Sequence, residues 1–315
     1  MQYRMLGRTG INVSRLCFGA LTISPLQASL PVSEGAKVIR RALDLGVNFI
    51  DTAELYESYP YIREALKGFD RDVAVASKCY AYTWQGMQES VEKALRALDR
   101  DYIDIFLLHE QESILTIRGH WEAIEYLLEA KSMGIVRAIG ISTHHVAGVL
   151  GAAGVPEIDV IHPLINKDGI GIQGGTAGDM LQAIKQAFNA GKGIYAMKAL
   201  GGGHMINRTE EAFNYIKSIP ELDSVAVGMS TVEEVEYNAR IFSGRPVPQE
   251  LKSIVLRRPR RLLIEEWCLG CGECVKRCSN GALSLAGDRS VVDQSRCSLC
   301  GYCGSVCPAF CIKII

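Results

Sequence analysis

The sequence predicts an α/β protein, a (β/α)8 TIM barrel followed by a small cysteine-rich module. Two observations carry the prediction. Eight short apolar, β-rich runs alternate with longer segments of helical period over about the first 250 residues, and nine of the eleven cysteines crowd between Cys268 and Cys311. A chain of 315 residues is also long for one hydrophobic core, so a large domain with a small appendage is expected.

The runs are, in order, LCFGAL, NFIDTA, VAVASKCY, IDIFLLH, VRAIGIS, VIHPLI, GIYAMKA and SVAVGM. Each is nearly continuous in apolar residues, as a strand covered on both faces must be. Between them, stretches such as EGAKVIRRALDLG, MQESVEKALRAL, WEAIEYLLEAKSMG and TVEEVEYNARIF repeat apolar residues at three- and four-residue steps, several closing on Gly. An open doubly wound sheet alternates in the same way. Eight evenly spaced units with no Gly-rich phosphate turn after the first strand favour closure instead.

The pattern breaks at SGRPVPQELKSIVLRRPRR, which carries three prolines and the cluster Arg257, Arg258, Arg260 and Arg261. This marks a linker region over 251–261, with room for one helix, between a barrel at 1–250 and a module at 262–315. A basic run of this kind is more often a solvated face than a phosphate site.

With 48% hydrophobic residues, 22% charged residues and a formal net charge of -1, no field favours nucleic acid or a membrane surface, and disorder is not expected. The start MQYRMLGRTGINVSRLCFG lacks a long apolar stretch before a small-residue cleavage site, and no run of about 18 apolar residues occurs. The expectation is a cytoplasmic protein without nucleic-acid or membrane partners. In a reducing cytosol its clustered thiols read as metal ligands rather than disulfides.

Working residues of a barrel stand at the C-terminal ends of its strands. Asp51 closes NFIDTA with Tyr56 just beyond it in AELYE, Lys78 ends VAVASK and His109 ends IDIFLLH. Singly these are a helix cap, a surface aromatic, a snorkelling ammonium and a core histidine. Together they would converge on the barrel mouth as a proton-donating set. A Lys ammonium beside a phenol favours the phenolate and lowers its pKa from about 10, and Asp51 would hold the Lys in place.

The segments LGRTGINVSRLCFGA, GVNFIDTAELY, ASK, DYIDIFLLH, GIVRAIGIS and VGMSTVEEVEYN, in that order up to about residue 245, resemble the landmarks of the aldo-keto reductase family. The resemblance implies an oxidoreductase in which Asp51, Tyr56, Lys78 and His109 form a catalytic tetrad. Tyr56 would protonate a carbonyl oxygen as NAD(P)H delivers hydride to the carbon, and His109 would orient the carbonyl. It also implies a nicotinamide site built from Gly19 and Ala20 at the first strand end, Ser142 and Asn166 after the fifth and sixth strands, and Met197 after the seventh. Gly228, Ser230, Thr231 and Asn238 would form its adenosine end.

Three positions depart from the family pattern. Met197 stands where an aromatic ring usually stacks on the nicotinamide, His162 where a Gln usually holds the carboxamide, and Glu234 where many members carry an Arg for the 2′-phosphate. A carboxylate would repel that phosphate, which moves the expectation toward NADH. The same departures leave room for a weakened or lost nicotinamide site.

Cys268, Cys271, Cys274 and Cys278 follow the spacing CxxCxxCxxxC, and Cys297, Cys300, Cys303 and Cys307 repeat it. This is the bacterial ferredoxin run, in which three close thiolates hold one cluster and the fourth reaches across to the other. Two 4Fe-4S clusters are therefore expected, one on Cys268, Cys271, Cys274 and Cys307, the other on Cys297, Cys300, Cys303 and Cys278. Zinc sites would not need the third cysteine of each run or the crossing one. Ser279 replaces the proline that closes the second run as Pro308, and Cys311 is read as a packed or spare thiol.

Hydride transfer moves two electrons and a cluster moves one. The reading that joins the two parts is a reductase of a small carbonyl or related unsaturated compound, whose clusters exchange electrons with a ferredoxin or other electron-transfer protein. One alternative drops the nicotinamide and feeds single electrons through the clusters, with Tyr56 still the proton donor. Another is a redox sensor or electron carrier that binds nucleotide without turnover. Because the family's C-terminal segment closes over the substrate, the module is expected near the active site. Tyr80 and Trp84 are expected to wall a pocket or to pack against the module.

Overall fold

The computed structural model describes residues 1–315. It opens with an antiparallel hairpin of β1 (Tyr3–Met5) and β2 (Asn12–Ser14), with Arg4 opposite Val13. Eight parallel strands follow: β3 (Leu16–Gly19), β4 (Phe49–Asp51), β5 (Ala74–Cys79), β6 (Ile103–Leu108), β7 (Val136–Thr143), β8 (Val160–Pro163), β9 (Gly193–Ala196) and β10 (Ser224–Gly228). They close into a barrel, because β10 pairs with β9 on one side and with β3 on the other. Each strand falls within one of the eight runs, except that β7 extends one residue past VRAIGIS to Thr143.

Alternation along the strands decides what faces where. Cys17, Phe49, Ile105, Leu107 and Tyr195 turn inward and pack with Leu6, Ile11 and Val13 of the hairpin, which thereby plugs the N-terminal end. Phe18, Ile50, Phe106, Ile139 and Ile194 join the outer core of 61 buried residues under the helices. Helix Val32–Asp44 shows the matching half: Ala36, Val38, Ile39, Ala42 and Leu43 are buried, while Glu34, Lys37 and Asp44 face solvent. Gly46, at φ 90°, turns the chain out of that helix toward β4. No helix is long and apolar enough to cross a membrane.

A helix, Gln249–Arg257, crosses the expected start of the linker region at 251, and its Val255 is buried in the outer core of the barrel. Beyond it, β11 (Leu262–Ile264) pairs antiparallel with the last strand, Leu262 opposite Ile314, and between them lies the hairpin of β12 (Leu283–Ala286) and β13 (Arg289–Val292). That last strand is β14 (Ile312–Ile314). The module's core is only eight buried residues, of which Cys274, Cys303 and Cys311 are three.

The module sits on the C-terminal mouth of the barrel. Phe310 is buried among Leu164, Ile170, Met197 and Met205. The loop after β9 accommodates β14 through Gly203, at φ 94°, where a Cβ would lie 2.0 Å from the carbonyl oxygen of Ile314. Only glycine permits both that backbone and that approach.

Candidate active site

Neighbouring strands bring the predicted tetrad together. Gly19 of β3 lies opposite Asp51 of β4, which lies opposite Ala76 of β5, so Asp51 and Lys78 share one rim. Both are almost fully buried, Asp51 at 5% and Lys78 at 1% exposure. Lys78 Nζ donates to the two carboxylate oxygens of Asp51 at 2.8 and 2.9 Å and to the Thr52 carbonyl at 2.7 Å. All three ammonium protons thus find acceptors, the condition under which a buried ion pair is tolerated.

Tyr195, which the sequence reading did not place here, and His162, expected at the nicotinamide carboxamide, complete the support of Asp51. Tyr195 donates its hydroxyl to Asp51 Oδ1 at 2.9 Å. His162 stacks on the Tyr195 ring with centroids 3.9 Å apart, and its Nε2 lies 3.7 Å from the same oxygen. His162 Nδ1 donates to the Tyr195 carbonyl at 2.6 Å, since a carbonyl only accepts. Burial holds the His162 ring neutral, its pKa pushed down to about 4 despite the pull of Asp51.

Tyr56 stands over this pair. The Lys78 ammonium is 5.0 Å from the centroid of the Tyr56 ring, so it meets the face of the phenol. The Tyr56 hydroxyl has no hydrogen-bond partner within the chain, and the half-buried residue lines the main cavity. His109 meets Tyr56 edge-on at 5.9 Å and stacks on Tyr80 at 4.4 Å, with its buried Nδ1 unpartnered.

The expected lowering of the Tyr56 pKa is not found. Burial raises the phenol well above its ordinary value, and the Asp51 carboxylate adds to the rise. The reason is that the charge of Lys78 is already matched by Asp51, so the phenol senses desolvation first. His109 is pushed well below the usual histidine range by burial and then by Lys78. The mouth therefore presents a protonated phenol and a neutral imidazole, an acid and a hydrogen-bonding partner.

The cavity measures about 540 Å³, within the range of small-molecule and cofactor sites. The barrel contributes Asp51, Tyr56 and Met197 to its walls, and the module contributes Lys313, Ile314 and Ile315. Of the expected nucleotide-site residues, Gly19, Met197, Gly228 and Ser230 reach the wall. Ala20, Ser142, Asn166, Thr231 and Asn238 do not. Ser142 accepts the Glu110 amide at 2.9 Å, and the Asn166 side chain ties both its ends to the Ile170 backbone at 2.9 Å. Thr231 caps helix Val232–Phe242 by accepting from the Glu234 amide, while Ala20 and Asn238 are buried.

Three expectations are corrected at this cavity. Glu234 is not a free carboxylate: Arg258 bridges it at 2.8 Å to Ser230 at 2.6 Å, and Arg260 lies 3.7 Å away. Two guanidinium groups outweigh one carboxylate, so this end is cationic and the repulsion argument against a 2′-phosphate lapses. Arg258, Arg260 and Arg261 accordingly line a cavity instead of a solvated face. Tyr80 and Trp84 wall neither the cavity nor the module. Tyr80 donates to Glu110 at 2.9 Å, and Trp84 packs edge-on to Tyr126 at 4.9 Å.

In the module, Cys268, Cys271, Cys274 and Cys307 line one hollow and Cys278, Cys297, Cys300 and Cys303 line a second. The fourth cysteine of each run faces the three of the other. Backbone amides of Ser290 and Ala282 point at Cys268 and Cys278 sulfur at 3.4 and 3.3 Å, and the Ser290 hydroxyl lies 3.1 Å from Cys274 sulfur. Four cysteines of the two runs in each hollow, donors aimed at sulfur and no carboxylate or imidazole in either wall fit two 4Fe-4S clusters. Cys311, 3.4 Å from Cys307, belongs to the first hollow.

The model of the aldo/keto reductase family matches residues 15–214, which is more than half of the chain. The chain belongs to the aldo/keto reductase family. Residues 262–308 match a 4Fe-4S dicluster domain, so this reductase is an oxidoreductase carrying that domain at its C-terminal side. It is 26% identical over 283 residues to L-galactose dehydrogenase of Arabidopsis thaliana, covering 76% of this chain and 87% of that protein. It is also 26% identical to methylglyoxal reductase DkgA of Escherichia coli, over 51% of this chain and 62% of that protein. The holo form of an aldo-keto reductase from Bacillus halodurans shares the fold, with a TM-score of 0.66 over 81% of this chain and 95% of that one, at 21% identity.

The sequence reading of the reductase missed Tyr195, Arg258, Arg260, Lys198 and Lys313 as parts of this mouth. Lys198 lies near the end of the run GIYAMKA, two residues past β9, so the strand-end rule that selects Lys78 and His109 selects it too. Arg258 and Arg260 stand in the basic run already noted, but only long-range packing brings them, Tyr195 and Lys313 to the site.

Proposed function

We propose that the reductase converts the carbonyl group of a small molecule to an alcohol, with Tyr56 as the proton donor. The observation that carries this reading is the unpartnered Tyr56 hydroxyl facing the cavity above the desolvated Lys78–Asp51 pair. Asp51 and Lys78 position the phenol. His109, held neutral, hydrogen-bonds the carbonyl oxygen, and the phenol gives that oxygen its proton as charge develops there. Lys313 and Ile314 of β14 form part of the cavity wall.

NAD(P)H, when bound, supplies the hydride. Gly19, Met197, Gly228 and Ser230 would form its wall, and Arg258, Arg260 and Arg261 would meet its phosphates. Eight cysteines would hold the two clusters, whose one-electron chemistry suits exchange with a ferredoxin-like protein at the exposed Cys271 and Cys300 edges. Relatives named for a sugar dehydrogenase and an aldehyde reductase support carbonyl–alcohol chemistry.

Tyr56→Phe is expected to lower kcat/KM by about 10²- to 10⁴-fold with the fold intact. Unchanged turnover of every carbonyl substrate would remove Tyr56 as the donor. A second reading, ferredoxin-fed reduction without nicotinamide, draws on Ser142 and Asn166 being committed to backbone and Met197 being covered by Phe310. Anaerobic titration separates the two: tight NADH or NADPH binding with rapid cluster bleaching supports the first, and neither effect supports the second.

A further inference from the structure

Lys198 follows β9 at the barrel mouth in left-handed backbone, at φ 61°. A long non-glycine side chain is uncommon there, and such strain clusters at functional sites. Its ammonium makes no hydrogen bond within the chain, faces the cavity of Asp51 and Tyr56, and lies 5.8 Å from the centroid of Phe310. Lys313, from β14 of the module, lies over the same ring at 3.0 Å and gives one proton to the Phe310 carbonyl.

Neither lysine forms an ion pair with a side-chain carboxylate, although Glu265 and Cys307 act on Lys313 through space. Only two side-chain carboxylates line the cavity, Asp51 and Glu234, and both are already paired, with Lys78 and Arg258. Glu110 and Glu265 act on Lys198 through space but form no ion pair with it, and Glu110 is engaged by Tyr80 at 2.9 Å. Burial lowers the pKa of both lysines, helped at Lys313 by the field of Lys198. Two desolvated ammonium groups on one cavity, contributed by two domains, form a place where an anion is stabilised.

We propose that Lys198 and Lys313 form a subsite for an oxyanion, carboxylate or phosphate, carried by the substrate. The inference rests on the reading of the cavity as the site of carbonyl reduction and names its substrate class, an anionic carbonyl compound such as a 2-oxo acid or a phosphorylated aldehyde. Lys198 and Lys313 line the same cavity as Asp51 and Tyr56, so an anion held there lies in one cavity with the proposed proton donor.

The test is calorimetric titration of the cluster-loaded full chain, without turnover, using oxamate and inorganic phosphate as probes and NADH and NADPH as controls. Oxamate or phosphate is expected to bind, with affinity falling at least about tenfold in Lys198→Met and in Lys313→Met and restored to within about threefold in Lys198→Arg. Dinucleotide affinity is expected to change less than about threefold. The stronger of the two probes identifies the oxyanion. Absence of binding by both, equal binding by wild type and variants, or a loss confined to the dinucleotides would overturn the proposal. Because both probes are redox-inert, their binding is read independently of Tyr56→Phe kinetics, so failure of the subsite and failure of the reductase reading are distinguishable.

Discussion

The barrel and the cluster module bury their cores by different means. The barrel has an outer core of 61 buried residues and an inner one of 12, whereas the module has eight, three of them cysteines. A unit of about 50 residues with so small an apolar core needs staples, and metal clusters are such staples. The same contrast holds for charge. The barrel's Lys78 has an acceptor for every proton, while Lys198 and Lys313, where the two units meet, lack a partner carboxylate.

The largest expected effect tests this contrast directly. Stripping iron with a chelator should unfold residues 262–315 while the barrel persists, so hydrogen exchange should rise across β11 to β14 and stay slow across β3 to β10. Retained protection in the module would mean that its eight-residue core suffices. Next in size, Lys78→Met should destabilise the barrel by about 3–5 kcal/mol in urea unfolding, because Asp51 would remain buried with only Tyr195 and His162 beside it. A loss below about 1 kcal/mol would show that water reaches Asp51.

All six histidines lie in the barrel half, and burial lowers the pKa of His109, His144 and His162. A folded-state value depressed below the unfolded value of about 6.5 means the unfolded chain binds more protons in acid. Their contribution is thus complete above about pH 6.5 and is lost as pH falls below it, by up to about 1.4 kcal/mol per pH unit for each histidine. Melting temperatures from pH 7 to 5 should follow that slope, and His144→Gln should flatten it. The smallest effect belongs to the hinge between the units. Arg258 is partly exposed, so Arg258→Ala should cost under about 1 kcal/mol of stability, yet weaken NADPH binding more than NADH binding in parallel titrations.

The eight strands were legible because each is a continuous apolar run whose helix partner repeats at three- and four-residue steps, and Asp51, Lys78 and His109 because strand ends are fixed points of a barrel. The plug hairpin was not, since strands of three residues carry too little alternation to read. The direction of the Tyr56 pKa was misjudged because sequence shows which charges are near but not which are already matched. Glu234 was misread for the same reason: its partners Arg258 and Arg260 lie about a quarter of a hundred residues further on, in a segment that looks like linker.

By itself, then, the sequence determined the barrel, the tetrad candidates and the paired cysteine runs, all of which rest on periodicity and spacing that a single chain displays. Only the tertiary structure decided that β14 forms part of the cavity wall, that Arg258 and Arg260 convert an acidic position into a cationic one, and that Lys198 and Lys313 meet over Phe310. Those outcomes depend on charge balance and desolvation at a contact between distant segments, quantities that do not exist until the chain has closed upon itself.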